Sequence, residues 1–326
     1  MAMRKAFALF VVFIGLAVFA FAAEIHVALN GRDSNPGTSV APLRTIQRAA
    51  DLAGPGNVIH EIHVRRLFTG AEMAGIKFHG AIDVEIGGNH IYRTIRGLWL
   101  DWMAQGTRVT GNLFHDNRTE DLFVEVDHGP FLVDNNIFLS PNTLLNVSQG
   151  GAYVHNLMSG RLRMNPFDAR QTPFHKAHST ELAGMHDNPY GDDRYINNLF
   201  VQRADLSPYD GAPLPVKMDG NVFLKGAKPS KFEKEPLVEP SYEPALKLIE
   251  KPDGFFLEIS FDKAWTARTR QLVTTESLGR AAIPNLPYER ADGTPIRIDT
   301  DYFGRSRNVS NPRPARSKIP DRDRCG

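Results

Sequence analysis

Cysteine is nearly absent from this chain of 326 residues: the only one, Cys325, stands beside the final glycine. No internal disulfide is therefore available, and stability has to come from packing. Charge of one sign is lacking too, with 38 Lys and Arg against 37 Asp and Glu and a formal net charge of +1. That balance removes the electrostatic case for nucleic acid or anionic lipid as a partner. Beyond the N-terminal run, no apolar stretch is long enough for a stable membrane span. GxGxxG and GxSxG are missing, which removes the dinucleotide-binding and nucleophile-elbow signatures. HEIH at 60–63 and HKAH at 175–178 space their histidines as some metal sites do. Neither is the HExxH helix motif, and no metal ligand is assigned to either.

What is present begins with an export signature. Arg4 and Lys5 precede an apolar run over 6–21, and Ala20, Phe21 and Ala22 form a small-x-small cleavage site. Residues 1–22 are expected to be a signal peptide, with the mature chain starting near Ala23 and exported to the periplasm or the medium. The run of ~16 residues falls short of the ~20 that a transmembrane helix needs. The remaining ~300 residues suffice for one large or two modest domains with a real core.

Residues 23–57 read as a strand, a Gly/Asp/Asn turn and a helix entered at Pro42. Leu43, Ile46, Ala49, Ala50 and Ala53 recur at helical spacing, and Gly54, Pro55 and Gly56 end the run. Such a segment resembles the cap that covers the open end of secreted right-handed parallel β-helices. Downstream, an Asn-centred turn followed by two apolar residues recurs: GGNHI at 87–91, TGNLF at 110–114, DNNIF at 134–138, VHNLM at 154–158, INNLF at 196–200 and DGNVF at 219–223. A period in the low twenties predicts a solenoid in which each coil buries its apolar face on the next. Asn suits the corners, because it tolerates left-handed backbone angles and its amide can bond the Asn of the coil above. A β-sandwich with coincidental Asn turns is the competing architecture.

The expected fold is thus all-β: a right-handed parallel β-helix over 58–225, behind an N-terminal capping helix and ahead of a C-terminal β-rich extension over 226–326. Between 160 and 195 the period lapses, which reads as a long side loop. The alternation of FFLEISFD at 255–262 predicts a strand, either in an appended unit or in a wrapping of the helix.

Two segments carry acids on strands. In GLWLDWMAQG at 97–106, alternation puts Leu98, Leu100 and Trp102 on one face and Trp99, Asp101 and Met103 on the other. In EDLFVEVDHGP at 120–130 it puts Leu122, Val124 and Val126 opposite Phe123, Glu125 and Asp127. Stacked coils would set Asp101 beside Glu125, facing solvent. Neighbouring carboxyls cannot both ionise freely, so one is expected to keep its proton and the other to lose it. Strands lie ~4.7–4.9 Å apart, close to the ~5–5.5 Å carboxyl separation of retaining glycosidases and short of the ~6.5–9.5 Å of inverting ones.

One coil back, Lys77 of GIKFHG is expected under Asp101, where a cation favours an ionised nucleophile. Glu125 is then the proton donor. Trp99 and Trp102 offer sugar-stacking faces, although alternation turns Trp102 inward. Asp127 is an alternative outward acid, and His128 is either a partner for a sugar hydroxyl or a turn residue without function.

The stretches AGIKFHGAIDVEIGGNHIYRTIRGLWLDWMAQGTRVTGNLFHDN, EDLFVEVDHGPFLVDNNIFLS, RQTPFHKAHST and GDDRYINNLFV resemble glycoside hydrolase family 120, β-xylosidases built on a right-handed β-helix. The resemblance runs from about Glu72 to Phe223, with a weaker match at DYFG (301–304). It implies Asp101 as nucleophile, Glu125 as acid/base and Glu72 as a sugar-contacting acid. Lys77 and His79 of the same GIKFHG segment are further candidates for binding the substrate, a xylo-oligosaccharide or related glycoside. No cofactor is expected. Asp187, Asp192 and Asp193 are the candidates for calcium, which the family's outer region binds.

The chain departs from the family by lacking several hundred residues between the cap and AGIKFH, including much of the pocket wall. A catalytically impaired carbohydrate-binding or structural β-helix and a polysaccharide lyase on the same scaffold therefore stay open, as does a homo-oligomer whose neighbouring subunit completes the pocket.

Overall fold

The computed structural model describes residues 25–28, 30–45, 48, 49, 52, 57–62, 72–252, 254–260 and 269–312. The expected signal peptide and most of the expected capping helix lie outside these residues. The chain divides into two compact units, 1–54 and 55–326. In the first, Val27 bridges Leu43 in parallel. The Asp33 carboxylate accepts the backbone N–H groups of Arg44 at 2.9 Å and Thr45 at 2.8 Å, as an acid does at the start of a helix.

The second unit is built from three parallel sheets. The first sheet stacks Val58–His60, His90–Tyr92, Leu113–His115, Ile137–Phe138, Leu157–Met158, Leu199–Val201, Val222–Leu224 and Leu237–Glu239. The second stacks Ile76–His79, Leu98–Asp101, Leu122–Glu125, Asn142–Val147 and Arg161–Met164. The third stacks Glu85–Gly87, Arg108–Thr110, Phe131–Asp134, Gly151–Val154, Arg194–Ile196, Lys217–Asp219 and Glu233–Lys234. The chain visits the second, third and first sheets in turn and then moves up one coil. This is a parallel β-helix, and the sandwich alternative is excluded.

Stacking like on like fills the interior. Leu98, Leu100, Leu122 and Val124 of the second sheet meet Ile86, Val109 and Val133 of the third and Ile91, Phe114 and Phe138 of the first. Phe114 and Phe138 stack one coil apart at 4.9 Å between ring centres. Each such buried side chain contributes ~1.5–3 kcal/mol of transfer free energy.

The expected asparagine stack is present, and it is continuous. Asn57, Asn89, Asn112, Asn136, Asn156, Asn198 and Asn221 each donate their side-chain amide to the carbonyl oxygen of the next Asn, ending on the Glu233 carboxylate. Backbone N–H groups join the same acceptors, at 2.8 Å from Asn89 to Asn112 and 2.9 Å from Asn112 to Asn136. The left-handed angles expected of these Asn belong instead to the residue before each: Gly88, Gly111, Asn135, His155, Asn197 and Gly220 have φ between 56° and 70°. The preceding residue turns the corner, so the ladder Asn can face inward.

From Asn89 onward, successive ladder steps are 23, 24, 20, 42 and 23 residues. The long step contains the segment expected to be a loop. It is a β-hairpin, Asp168–His175 paired antiparallel with Leu182–Asn188. Its polar composition hid two strands whose hydrogen bonds, rather than a buried apolar face, hold them together.

The β-helix runs on to Leu237–Glu239, past 226. Beyond it the chain wraps the coils. The hairpin Lys247–Lys251/Gly254–Glu258 is followed by Ile259, which packs with Leu257 near Leu199, Val222 and Leu224 of the first sheet. Val273, Leu278, Tyr288, Ile296 and Ile298 cover Leu132, Ala152, Val154 and Ile196 on the outside of the third sheet. Among the described residues no helix is long and apolar enough to cross a membrane.

Candidate active site

The second sheet leaves its outer face to other chemistry. While Leu98, Leu100, Leu122 and Val124 go inward, Trp99 and Phe123 form an outer cluster with Val126, Val147 and Trp102. Parallel register sets His79 beside Asp101, Asp101 beside Glu125, and Glu125 beside Val147. The two acids expected to meet are direct neighbours on adjacent strands.

Lys77 is not under Asp101 as expected; its register partner is Trp99. Its ammonium lies 3.8 Å from the Trp99 ring centre and reaches diagonally to Asp101 Oδ2 at 2.8 Å. A long flexible side chain thus does from one residue pair away what direct stacking was expected to do. His79, the true neighbour, places Nδ1 3.1 Å from the same Oδ2. Glu72 also pairs with the Lys77 ammonium, from a side chain 71% exposed. Burial alone would lower the Lys77 pKa, but the hydrogen bonds and charges of Asp101 and Glu72 outweigh it and raise the pKa. Lys77 is therefore a cation at neutral pH.

Asp101 does not stand open to solvent as expected. It is 5% exposed, and Oδ1 has no hydrogen-bond partner among the described residues. Oδ2 is engaged by Lys77 and His79, while Oδ1 is buried without a partner among these residues. Glu125 is less covered, and its Oε1 accepts from Arg170 Nη1 at 2.7 Å.

Four other residues depart from expectation, two of them for one reason. The strands end at Asp101 and Glu125, and the next residues, Trp102 and Val126, take left-handed φ of 48° and 54°. That kink reverses the alternation. Trp102 turns outward and stacks on His79 at 6.0 Å, so it is not the inward core residue. Asp127 turns inward, fully buried, and accepts the Ala104 N–H at 2.6 Å. Burial pushes its pKa well above the usual carboxylate range against that one hydrogen bond, with Asp101 and Glu125 adding to the rise. Asp127 is not an outward substitute for Glu125.

His128 is buried as well. Gln149 donates to Nδ1, and Nε2 donates to the Thr172 carbonyl at 2.9 Å. Burial lowers its pKa to about 4 and keeps the ring neutral. Both ring nitrogens are used internally, which leaves none for a sugar hydroxyl. Trp99 is 3% exposed, with Lys77 and Arg96 over its ring and Phe123 against it. No face remains for sugar stacking.

The hairpin forms a wall along this site. Thr172 Oγ1 donates to Val126 O at 2.9 Å. His175 exchanges two hydrogen bonds with the Gln105 side chain, at 2.9 and 3.0 Å, and His178 reaches Asp83 at 3.1 Å. These contacts fall on three successive coils. Sequence periodicity missed Arg170 and Asp168, because the hairpin interrupts the repeat that located everything else.

Asp187 is beside His186, Asp192 beside Arg194, and Asp193 takes bonds from Tyr209 and Gly151. Their carboxylates are committed to separate internal donors and do not fit one calcium ion. No group of three or more His, Cys, Asp or Glu among the described residues is placed to hold a metal. A groove of about 290 Å³ lined by His115, Asp116, Glu250 and Phe255 lies against the first sheet, away from Asp101.

The chain is similar to a solved structure of XylC in complex with xylose, at 37% identity and a TM-score of 0.75. The match covers 79% of this chain and 45% of XylC, so the chain spans less than half the length of that protein. No protein-family model and no curated protein matches it.

Proposed function

We propose that the protein is a retaining, β-xylosidase-like glycoside hydrolase acting on short xylo-oligosaccharides by double displacement. The observation that carries this reading is the register pairing of Asp101 with Glu125 on adjacent strands of one outer face. Strand spacing of ~4.7–4.9 Å lies near the ~5–5.5 Å carboxyl separation of retaining pairs, which supports that outcome. The similarity to a protein bound to xylose supports the sugar class.

In the proposed mechanism Glu125 protonates the glycosidic oxygen while a carboxylate oxygen of Asp101 attacks the anomeric carbon. The aglycone leaves, and a glycosyl-enzyme ester remains on Asp101. Glu125 then takes a proton from water, which attacks the same carbon and releases the sugar with its original configuration. Lys77 and His79 orient Asp101 through Oδ2. Glu72, His79 and the Trp102 ring border the sugar. Export, and assembly into a homo-oligomer that completes the pocket, belong to the same proposal.

A lyase is less well supported, because its base would be Lys77 and that amine is held protonated between Asp101 and Glu72. A binding protein without catalysis is favoured by one observation, the cover over Asp101. The test is an assay of the purified, folded chain on aryl β-glycosides of several sugars. Hydrolysis fastest on the β-xyloside is expected. Tight xylan binding without turnover contradicts the proposal, and an unsaturated product absorbing in the ultraviolet points to the lyase.

A further inference from the structure

Arg170 is the one side chain of the hairpin that an ion pair joins to either member of the acid pair. Its guanidinium is held before it gets there. Nε donates to Asp168 Oδ1 at 2.9 Å and Nη2 to Asp168 Oδ2 at 2.8 Å, a two-pronged pairing that fixes the guanidinium plane. The third prong, Nη1, points at Glu125 Oε1.

The backbone under Arg170 is fixed as well. Its carbonyl accepts from Asn188 Nδ2 at 3.1 Å, and Asn188 Oδ1 accepts from Gln149 of the coil wall at 3.0 Å. Two residues on, buried Thr172 is bonded to both Val126 and His128. Further along, His178 is clamped between Asp83 and Glu289, each at 3.1 Å. The hairpin is thus tied to the coils on both sides of the site.

We propose that Arg170, locked by Asp168, is a positioning residue that orients the Glu125 carboxyl so that Oε2 faces the departing oxygen of the substrate. The proposal rests on the reading of Glu125 as acid/base. Holding one oxygen of a carboxyl in a fixed fork determines where the other points, and a rotation of Glu125 by even ~1 Å is the size of error that costs ~100-fold in rate. Arg170 itself acts only through Glu125. Lys cannot replace it fully, since one ammonium cannot hold the Asp168 fork and reach Glu125 in the same plane.

The experiment compares the parent with Arg170→Gln, Arg170→Lys and Asp168→Asn on phenyl and dinitrophenyl β-xylosides, with melting temperatures alongside. Phenoxide is a poor leaving group that needs its proton, and dinitrophenoxide leaves with little help. Arg170→Gln is expected to lower kcat/KM about 100-fold on the phenyl substrate and less than about 5-fold on the dinitrophenyl one. Arg170→Lys and Asp168→Asn are expected to show the same asymmetry at smaller size. Equal losses on both substrates, or none on either, overturn the proposal.

If the parent cleaves neither substrate, the functional reading fails, and crystal structures of the parent and Arg170→Gln test the placement by themselves. A Glu125 carboxyl that rotates when Arg170 is removed supports the proposal. A carboxyl that stays in place overturns it.

Discussion

Replacing Asn136 by Ala tests the spine that keeps one coil in register with the next, and with it the pairing of Asp101 and Glu125. The Asn136 side chain makes five hydrogen bonds. Its Oδ1 accepts the backbone N–H and the amide of Asn112, and its Nδ2 donates to Val109 O, Asp134 O and Asn156 Oδ1. Asn112, Asn136 and Asn156 are all buried, so water cannot take over these bonds. Each bond is worth ~1 kcal/mol net, and a buried donor left without an acceptor, here the Asn112 N–H, costs ~1–3 kcal/mol.

With partial relaxation, the expected loss is about 4 kcal/mol, a large part of the ~5–15 kcal/mol by which domains are stable. Urea unfolding followed by far-ultraviolet circular dichroism measures it as a lower midpoint at unchanged slope. A loss below about 1 kcal/mol would refute the ladder as a continuous buried network, because at that size the bonds must be solvated or replaceable.

Asp127 carries the remaining prediction, which concerns pH. Its carboxyl is held protonated in the folded protein by burial, whereas in the unfolded chain it titrates near ~3.9. Above that pH the folded state binds one proton more than the unfolded state, so this group removes ~1.4 kcal/mol of stability per pH unit until the folded carboxyl itself ionises. Asp127→Asn keeps the oxygen that accepts from Ala104 and abolishes the titration. Its stability relative to the parent is expected to climb as pH rises above ~3.9, by up to about 1.4 kcal/mol per unit, until the folded Asp127 carboxyl ionises. Denaturation midpoints that stay parallel across that window would show an ionised Asp127.

The repeat was legible because it is a physical necessity of stacking: a period set by Asn89, Asn112, Asn136 and Asn156 defines the coils, and equal phase in LWLD and LFVE puts Asp101 on Glu125. What alternation could not show was where it ends. Trp102 and Val126 are residues that disfavour left-handed backbone, so nothing in their identity announced a kink, yet the kink decides that Trp102 faces out and Asp127 faces in. Gly80, at φ 73° in the coil before, is the one member of that column whose type hints at it. Lys77 was located on the right carboxylate by the wrong geometry, since a backbone register says little about where a four-carbon side chain ends. Arg170 was beyond reach: it comes from a polar hairpin outside the period, and its partner Glu125 lies 45 residues away.

The central claim is that Asp101 attacks a sugar that Glu125 protonates from the next strand. Mass spectrometry of the protein after reaction with a 2-deoxy-2-fluoro-β-xylosyl donor bearing an activated leaving group tests it most directly, because the fluorine slows hydrolysis of a covalent intermediate. The account predicts one added fluoroxylosyl group, located by peptide mapping on Asp101. A label on Glu125, Asp127 or Glu72, or turnover of β-xylosides with no covalent adduct and inversion of the released sugar, would contradict it.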